Sequence, residues 1–327
     1  MPQPGPLTRR RLLALGGASL FLPCAGRAAA GCRAGGPSLR MGVQTDLHHG
    51  LDPRAMERLE AFLAAAQARE DEAVAQLGDF NYADAGAREC LDLWEQAPGR
   101  RLDVLGNHDM DKATKEETVA AWGMPGRHHS LDLGGWHVVV LDRNNLRTDE
   151  GYVGYSRSNY YVDVERRGHA DAEQLEWLAS DLAATSLPTL VLVHQGLGVQ
   201  DRDAPGAAAR RPIEDVLAAA RHPDGRPKVS AVLCGHHHID RYRQRDGIHY
   251  LWINSASYYW VGGDYGRMAP YADALFAFLT LHPDGAIEVE GRASDWEPPS
   301  PAERGYPDAE RLTPFIADRS LAAPRPA

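Results

Sequence analysis

Leu102-Asp103-Val104-Leu105-Gly106-Asn107-His108-Asp109 decides how this chain is read: a short apolar run stops at a glycine, and three residues able to bind a metal or move a proton follow at once. The same grammar recurs along the chain. Leu39 to Thr45 reads as a strand followed by Asp46 and His48, and Ala73 to Leu77 as a strand closed by Gly78-Asp79. The run Leu190–Val193 ends on His194, and Val229–Leu233 leads into Gly235-His236-His237-His238. Open α/β sheets bind ligands beyond the carboxyl ends of their strands, so these five loops are expected to meet on one face.

Between the runs lie helical patterns. Residues from Pro53 to Glu70 put Met56, Leu59, Phe62, Leu63 and Ala66 on one face, and further helices are expected near 86–96, 114–122, 171–185 and 212–221. Val138–Leu141 reads as one more strand. Late in the chain His249 to Asn254, Leu275–Leu281 and Ile287–Gly291 read as strands, the last two joined through Pro283-Asp284-Gly285. The fold class is therefore α/β, with layered sheets and helices outside.

Composition supports a soluble globular protein, with 43% hydrophobic and 24% charged residues among 327. No internal repeat interrupts it, and one catalytic domain is expected over residues 38–293. Residues 294–327 carry Pro298, Pro299, Pro301, Pro307, Pro314, Pro324 and Pro326 and read as a Pro-rich tail that either wraps the domain or hangs free.

Residues 1–30 read as a signal peptide of twin-arginine type: Thr8-Arg9-Arg10-Arg11, an apolar run from Leu12 to Pro23 too short to span a bilayer, then Ala28-Ala29-Ala30. This places the mature chain in the periplasm or outside the cell. Losing these residues removes four arginines and no acid, moving the formal charge from −10 to −14. Such an acidic chain is not built to hold nucleic acid in bulk, so an anionic substrate needs a local positive source, which metal ions can be. Cys32, Cys90 and Cys234 remain, an odd number without CxxC spacing, so no disulfide framework is expected. Cys32 follows Ala29-Ala30-Gly31 and invites a lipid anchor, but Ala29 stands where a larger aliphatic belongs, and plain cleavage is expected instead.

Each polar motif alone has an ordinary explanation: an Asx turn for Asp46, turn chemistry for Gly78-Asp79, a satisfied core imidazole for His194, a solvated run for His236-His237-His238. Together they offer imidazole, carboxylate and amide oxygen without thiolate, a donor set for ions such as Mn, Fe or Zn. In extended chain the spacings Asp46-x-His48 and His236-x-His238 would point both members of each pair into one cavity and turn His49 and His237 away. Glycines before Asp79, Asn107 and His236 allow close backbone approach.

In their order, Asp-x-His, Gly-Asp, Gly-Asn-His-Asp, His and Gly-His-x-His resemble the calcineurin-like metallophosphoesterases over residues 40 to 240. The resemblance implies two packed mixed β-sheets flanked by α-helices. It implies two divalent cations, one held by Asp46, His48, Asp79 and His238, the other by Asp79, Asn107, His194 and His236, with Asp79 shared. Tyr82 departs from the family, which often carries Asp or Asn there; the change bears on the pocket wall rather than on the ligands.

The implied activity is hydrolysis of a phosphodiester or phosphomonoester in a small phosphorylated substrate, by a hydroxide shared between cations about 3.5–4 Å apart. His108 is expected to protonate the leaving oxygen, with Asp109 orienting it. A nucleotide-diphosphate hydrolase is the second reading, and a non-catalytic, metal-stabilised binding protein the reading from another class. The ring-rich stretch Tyr258 to Gly266, with Tyr259 and Trp260 as substrate-binding candidates, either walls a pocket or packs inside. Residues 143–170, with Asn144, Asn145, Tyr160 and Tyr161, read as a loop over the site. Metal identity, ester preference and oligomeric state are left open by the sequence.

Overall fold

Val138, Val139, Val140, Leu190, Val191 and Leu192 are all buried, which is the signature of strands covered on both faces. The computed structural model describes residues 36–199, 205–260, 268–306, 309 and 312–326. The signal-peptide residues, Cys32 and the stretch Val261 to Gly266 lie outside them. In chain order come β1 (Leu39–Gln44), α1 (Ala55–Ala68), β2 (Ala73–Gln76), α2 (Arg88–Trp94), β3 (Arg100–Asp103) and α3 (Lys115–Trp122). Next are β4 (His129–Leu133), β5 (Trp136–Val140), the hairpin β6 (Asn145–Thr148) and β7 (Gly151–Gly154), α4 (Ala172–Ala184), β8 (Thr189–Val193) and α5 (Ala207–Ala219). The last part holds β9 (Val229–Cys234), β10 (Arg241–Arg245), β11 (Ile248–Trp252), β12 (Tyr258–Trp260), β13 (Met268–Pro270), β14 (Ala277–Leu281), β15 (Ile287–Gly291) and β16 (Arg319–Leu321).

Two six-stranded mixed sheets result, ordered β16-β15-β14-β1-β2-β3 and β10-β11-β9-β8-β5-β4. Strand alternation builds three apolar layers from them. Met41, Val43, Ala75, Leu102, Val138, Leu190, Leu192 and Leu233 pack between the sheets. Val74, Phe276 and Phe278 face Leu59, Phe62 and Trp94 of α1 and α2, while Val139, Val191, Val193 and Val232 face Leu178, Leu182, Ile213 and Leu217 of α4 and α5. Gly35–Ala327 forms one compact unit. No helix among the described residues is long and apolar enough to cross a membrane.

Two expectations are corrected. The helix expected from Pro212 begins at Ala207, with Pro212 inside it. Ala209, Ile213 and Leu217 repeat every four residues and bury together, and this apolar face outweighs the one hydrogen bond that a proline withholds. The boundary expected at residue 293 is not one in packing terms: of the two courses open to the tail, the chain takes the wrapping one. β16 pairs antiparallel with β15, and Ile316 and Leu321 enter the core between the sheets.

Candidate metal centre

β1, β2 and β3 run parallel in one sheet, β8 and β9 in the other, and the carboxyl ends of all five converge. Asp46, His48 and His238 present ligand atoms within 4.8 Å of one another, as do Asp79, His194 and His236. Asp79 stands between the groups, its Oδ2 3.1 Å from His194 Nε2 and 3.9 Å from His48 Nε2. Asp46 Oδ1 lies 3.2 Å from His238 Nε2.

The backbone reaches this arrangement differently from the extended pairs expected of the sequence. Asp46, His48, Asp79, His236 and His238 all have positive φ, from 50° to 69°. Left-handed backbone costs a non-glycine residue on the order of 1–3 kcal/mol, and such strain concentrates where side chains are aimed for function. Close approach is enforced by glycine: a Cβ at Gly106 would stand 2.1 Å from Asp79 N, and one at Gly235 would stand 2.0 Å from Thr45 Oγ1.

The surrounding hydrogen bonds prepare the donors. His194 Nδ1 donates to Leu77 O at 2.7 Å and His238 Nδ1 to Tyr258 O at 2.6 Å, which turns each Nε2 inward. Burial holds the His48 imidazole down at about 3, so it is neutral and ready to ligate, whereas at His194 Asp79 and Asp46 outweigh burial and lift the ring to about 9. Its Nε2 lies 3.1 Å from that of His238, and His236 Nδ1 lies 3.2 Å from His194 Nε2. Asn107 adds a buried Oδ1 with no hydrogen-bond partner among the described residues. Burial alone would raise the carboxyls of Asp46 and Asp79, but neighbouring histidines outweigh it and hold both below the usual carboxylate range. These donors fit two divalent cations.

Asp109 is not the partner of His108. Its carboxylate accepts from the backbone N–H groups of Asp79, Phe80, Asn81 and Gly106 at 2.7–3.2 Å, locking the β2 and β3 loops together. His108 Nδ1 instead meets Asp111 Oδ2 at 2.8 Å and the Tyr160 hydroxyl at 3.0 Å, and Tyr160 also donates to Asp111. Burial opposes charging His108, yet Asp79 and Asp111 more than offset it and lift the ring above its ordinary pKa. Its Nε2 makes no hydrogen bond to the described residues.

Alternation along β12 separates the two aromatic candidates. Trp260 lies over the site, its ring 5.3 Å from that of His108, with Tyr258 on the same side stacked 5.2 Å from His48. Tyr259 points the other way, against the core between the sheets. The stretch 143–170 contains the β6–β7 hairpin and does reach the site, through Tyr160. Beside Asn107, His108 and His236 a cavity of about 670 Å³ opens, walled by Tyr160, Tyr161 and Trp260. His237 is on its rim, and His49 pairs with the Asn81 backbone. Cys90 and Cys234 are buried free thiols.

A family model described as Calcineurin-like phosphoesterase matches residues 39–240. The chain belongs to the calcineurin-like phosphoesterase family. That family depends on two metal ions. A 3′,5′-cyclic-nucleotide phosphodiesterase from Nostoc sp. is 30% identical over 155 residues, 47% of this chain and half the length of that protein. A Synechococcus sp. protein named "Probable cyclic nucleotide phosphodiesterase" is 26% identical over 206 residues, 59% of this chain and 71% of that one. Among solved structures, a dimetal phosphatase from Danio rerio superposes with a TM-score of 0.60 at 13% identity, covering 88% of this chain and all of that one. At that identity the likeness shows a shared fold.

Proposed function

We propose that this phosphoesterase is an exported phosphodiesterase for small soluble substrates. The observation that carries the hydrolytic part is the cluster of donors around Asp79: imidazole nitrogens paired about 3 Å apart and an orphaned amide oxygen, beside the cavity at His108. Asp46, His48, Asp79 and His238 would hold one cation, and Asp79, Asn107, His194 and His236 the other. Bound there, the pair supplies Lewis acidity that draws phosphoryl oxygen in and makes water a nucleophile near neutral pH.

The protein's own groups do the rest. His108, oriented through Nδ1 by Asp111 and Tyr160, holds a proton on Nε2 where a departing alkoxide can take it. A diester presents that leaving oxygen as an ordinary alcohol, which benefits from an acid, and the second ester arm has room against Tyr160, Tyr161 and Trp260. Two cyanobacterial relatives named as cyclic-nucleotide phosphodiesterases support the diester choice. Export is supported by the succession, along the sequence, of Arg9-Arg10-Arg11, an apolar segment and an alanine run.

The test uses residues 31–327 with mono- and bis-nitrophenyl phosphate, in Mn, Zn or chelator. Turnover of the diester that chelator abolishes is expected, and silence toward both esters in every metal would refute the reading. In the full chain, Arg9→Lys with Arg10→Lys should block secretion; unchanged secretion would remove the export claim.

A further inference from the structure

The cavity beside the metal centre has a charge pattern opposed to that of the chain. The formal net charge is −10, yet the described residues lining the cavity include Arg143, Arg167 and Arg210, the last of them 3.8 Å from the buried Glu214, and no carboxylate. Arg143 is only 5% exposed. Its Nε donates to Gly168 O at 3.0 Å, and its Nη1 to Gln195 O at 3.1 Å and Gly196 O at 2.8 Å. All three acceptors are neutral, and Nη2 has no hydrogen-bond partner among the described residues. Burial pulls the guanidinium down to about 10, which still leaves it charged at neutral pH.

Other buried cations are matched. Arg58 pairs with Asp52 at 2.7 Å, Lys115 with Asp142 at 2.6 Å, and Lys228 donates to Leu182 O and Ala183 O at the carboxyl end of α4, where the helix dipole is negative. A buried charge whose hydrogen bonds all go to neutral oxygens is costly to keep, and its place in the cavity wall points to a ligand that supplies the missing sign. The position is also fixed: Gln195 and Gly196 directly follow His194, so Arg143 is braced on the same loop that carries a metal-centre imidazole.

We propose that the Arg143 end of this cavity is an anion subsite, where Arg143, with Arg167 adding charge, holds a second anionic group of the substrate, a phosphate or a carboxylate, while the scissile phosphoester lies at the Asn107 and His236 end. The substrate is then a phosphoester with a second negative group, not one whose only charge is at the bond being cut. This rests on the hydrolase reading above. A guanidinium makes paired, charge-assisted hydrogen bonds to either anion.

The test compares thymidine 5′-(4-nitrophenyl phosphate) with the same ester carrying a 3′-phosphate and with its 3′-hemisuccinate, so that the scissile bond is identical. The metal-loaded wild-type chain is expected to favour the 3′-phosphate by about tenfold or more in kcat/KM, mostly through KM. Preference shared by the hemisuccinate assigns the subsite to anions in general, and preference confined to phosphate assigns it to phosphate. Arg143→Met should bring the ratio towards one, and Arg167→Gln, at an exposed residue, should lower it in part. Equal kcat/KM for charged and uncharged esters in the wild type would overturn the proposal, as would a full preference in Arg143→Met. If no ester is turned over, calorimetry with thymidine 3′,5′-bisphosphate and 5′-monophosphate still decides: tighter bisphosphate binding that Arg143→Met abolishes upholds the subsite while the hydrolase reading fails, and equal binding overturns the subsite.

Discussion

His108 acts through what holds it, and that sets its kinetic signature. With Nδ1 engaged by Asp111 and Tyr160, only Nε2 is available to a substrate. His108→Ala should slow diesters with poor alkyl leaving groups by about 10²-fold or more while slowing nitrophenyl esters much less, with Asp111→Asn intermediate. Equal slowing of both ester types would count against a proton donor. Asp71 offers a test of charge burial away from the site. Neither of its oxygens has a hydrogen-bond partner among the described residues, Arg69 Nε is 4.0 Å away, and burial pushes the carboxyl up to about 6 from 3.8. The folded chain therefore binds more protons than the unfolded chain between those values, and stability falls as pH rises through that window. Asp71→Asn should remove this fall, on the order of 1 kcal/mol, in urea midpoints measured across it; an unchanged pH slope would contradict the assignment. The ligand residues were legible because each follows an apolar run, but their left-handed backbone was not. Asp109 was misassigned for the same reason Asp111 was missed: adjacency in sequence said nothing of which carboxylate a turn of 3₁₀ helix brings round to Nδ1.

At the scale of elements, the C-terminal segment is a working part of the first sheet. Ile316 and Leu321 bury in the core between the sheets, Arg319 pairs with Asp240, and Asn254 donates to Thr313 O and Phe315 O. Ending the chain after Pro314 should lower stability by about 3–5 kcal/mol, read as a fall in denaturant midpoint, with an unshifted midpoint showing the segment to be dispensable. Central strands such as β8 and β9 could be read directly, since burial on both faces leaves an unbroken apolar run. β4, β10 and β16 could not. They lie at or near sheet edges, expose much of their length and carry polar residues such as Arg241, Arg243 and Arg245, so their strand character comes from pairing rather than from pattern.

For the whole molecule, two sheets packed face to face bring strand ends from both halves to one point, so no single sheet could assemble the centre. Order along the chain made the site readable; the partition of donors into two groups about Asp79 needed the fold. The acidic surface and the arginine-lined cavity are complementary features of that design, repelling anions in general and admitting them at one place. The central claim is that the convergent side chains hold a pair of cations. Elemental analysis of dialysed wild-type chain and Asp79→Asn, alongside bis-nitrophenyl phosphate turnover, tests it most directly. The account predicts two divalent ions per wild-type chain, and loss of at least one together with turnover when the shared carboxylate becomes an amide. Full metal content and undiminished turnover in Asp79→Asn would contradict it.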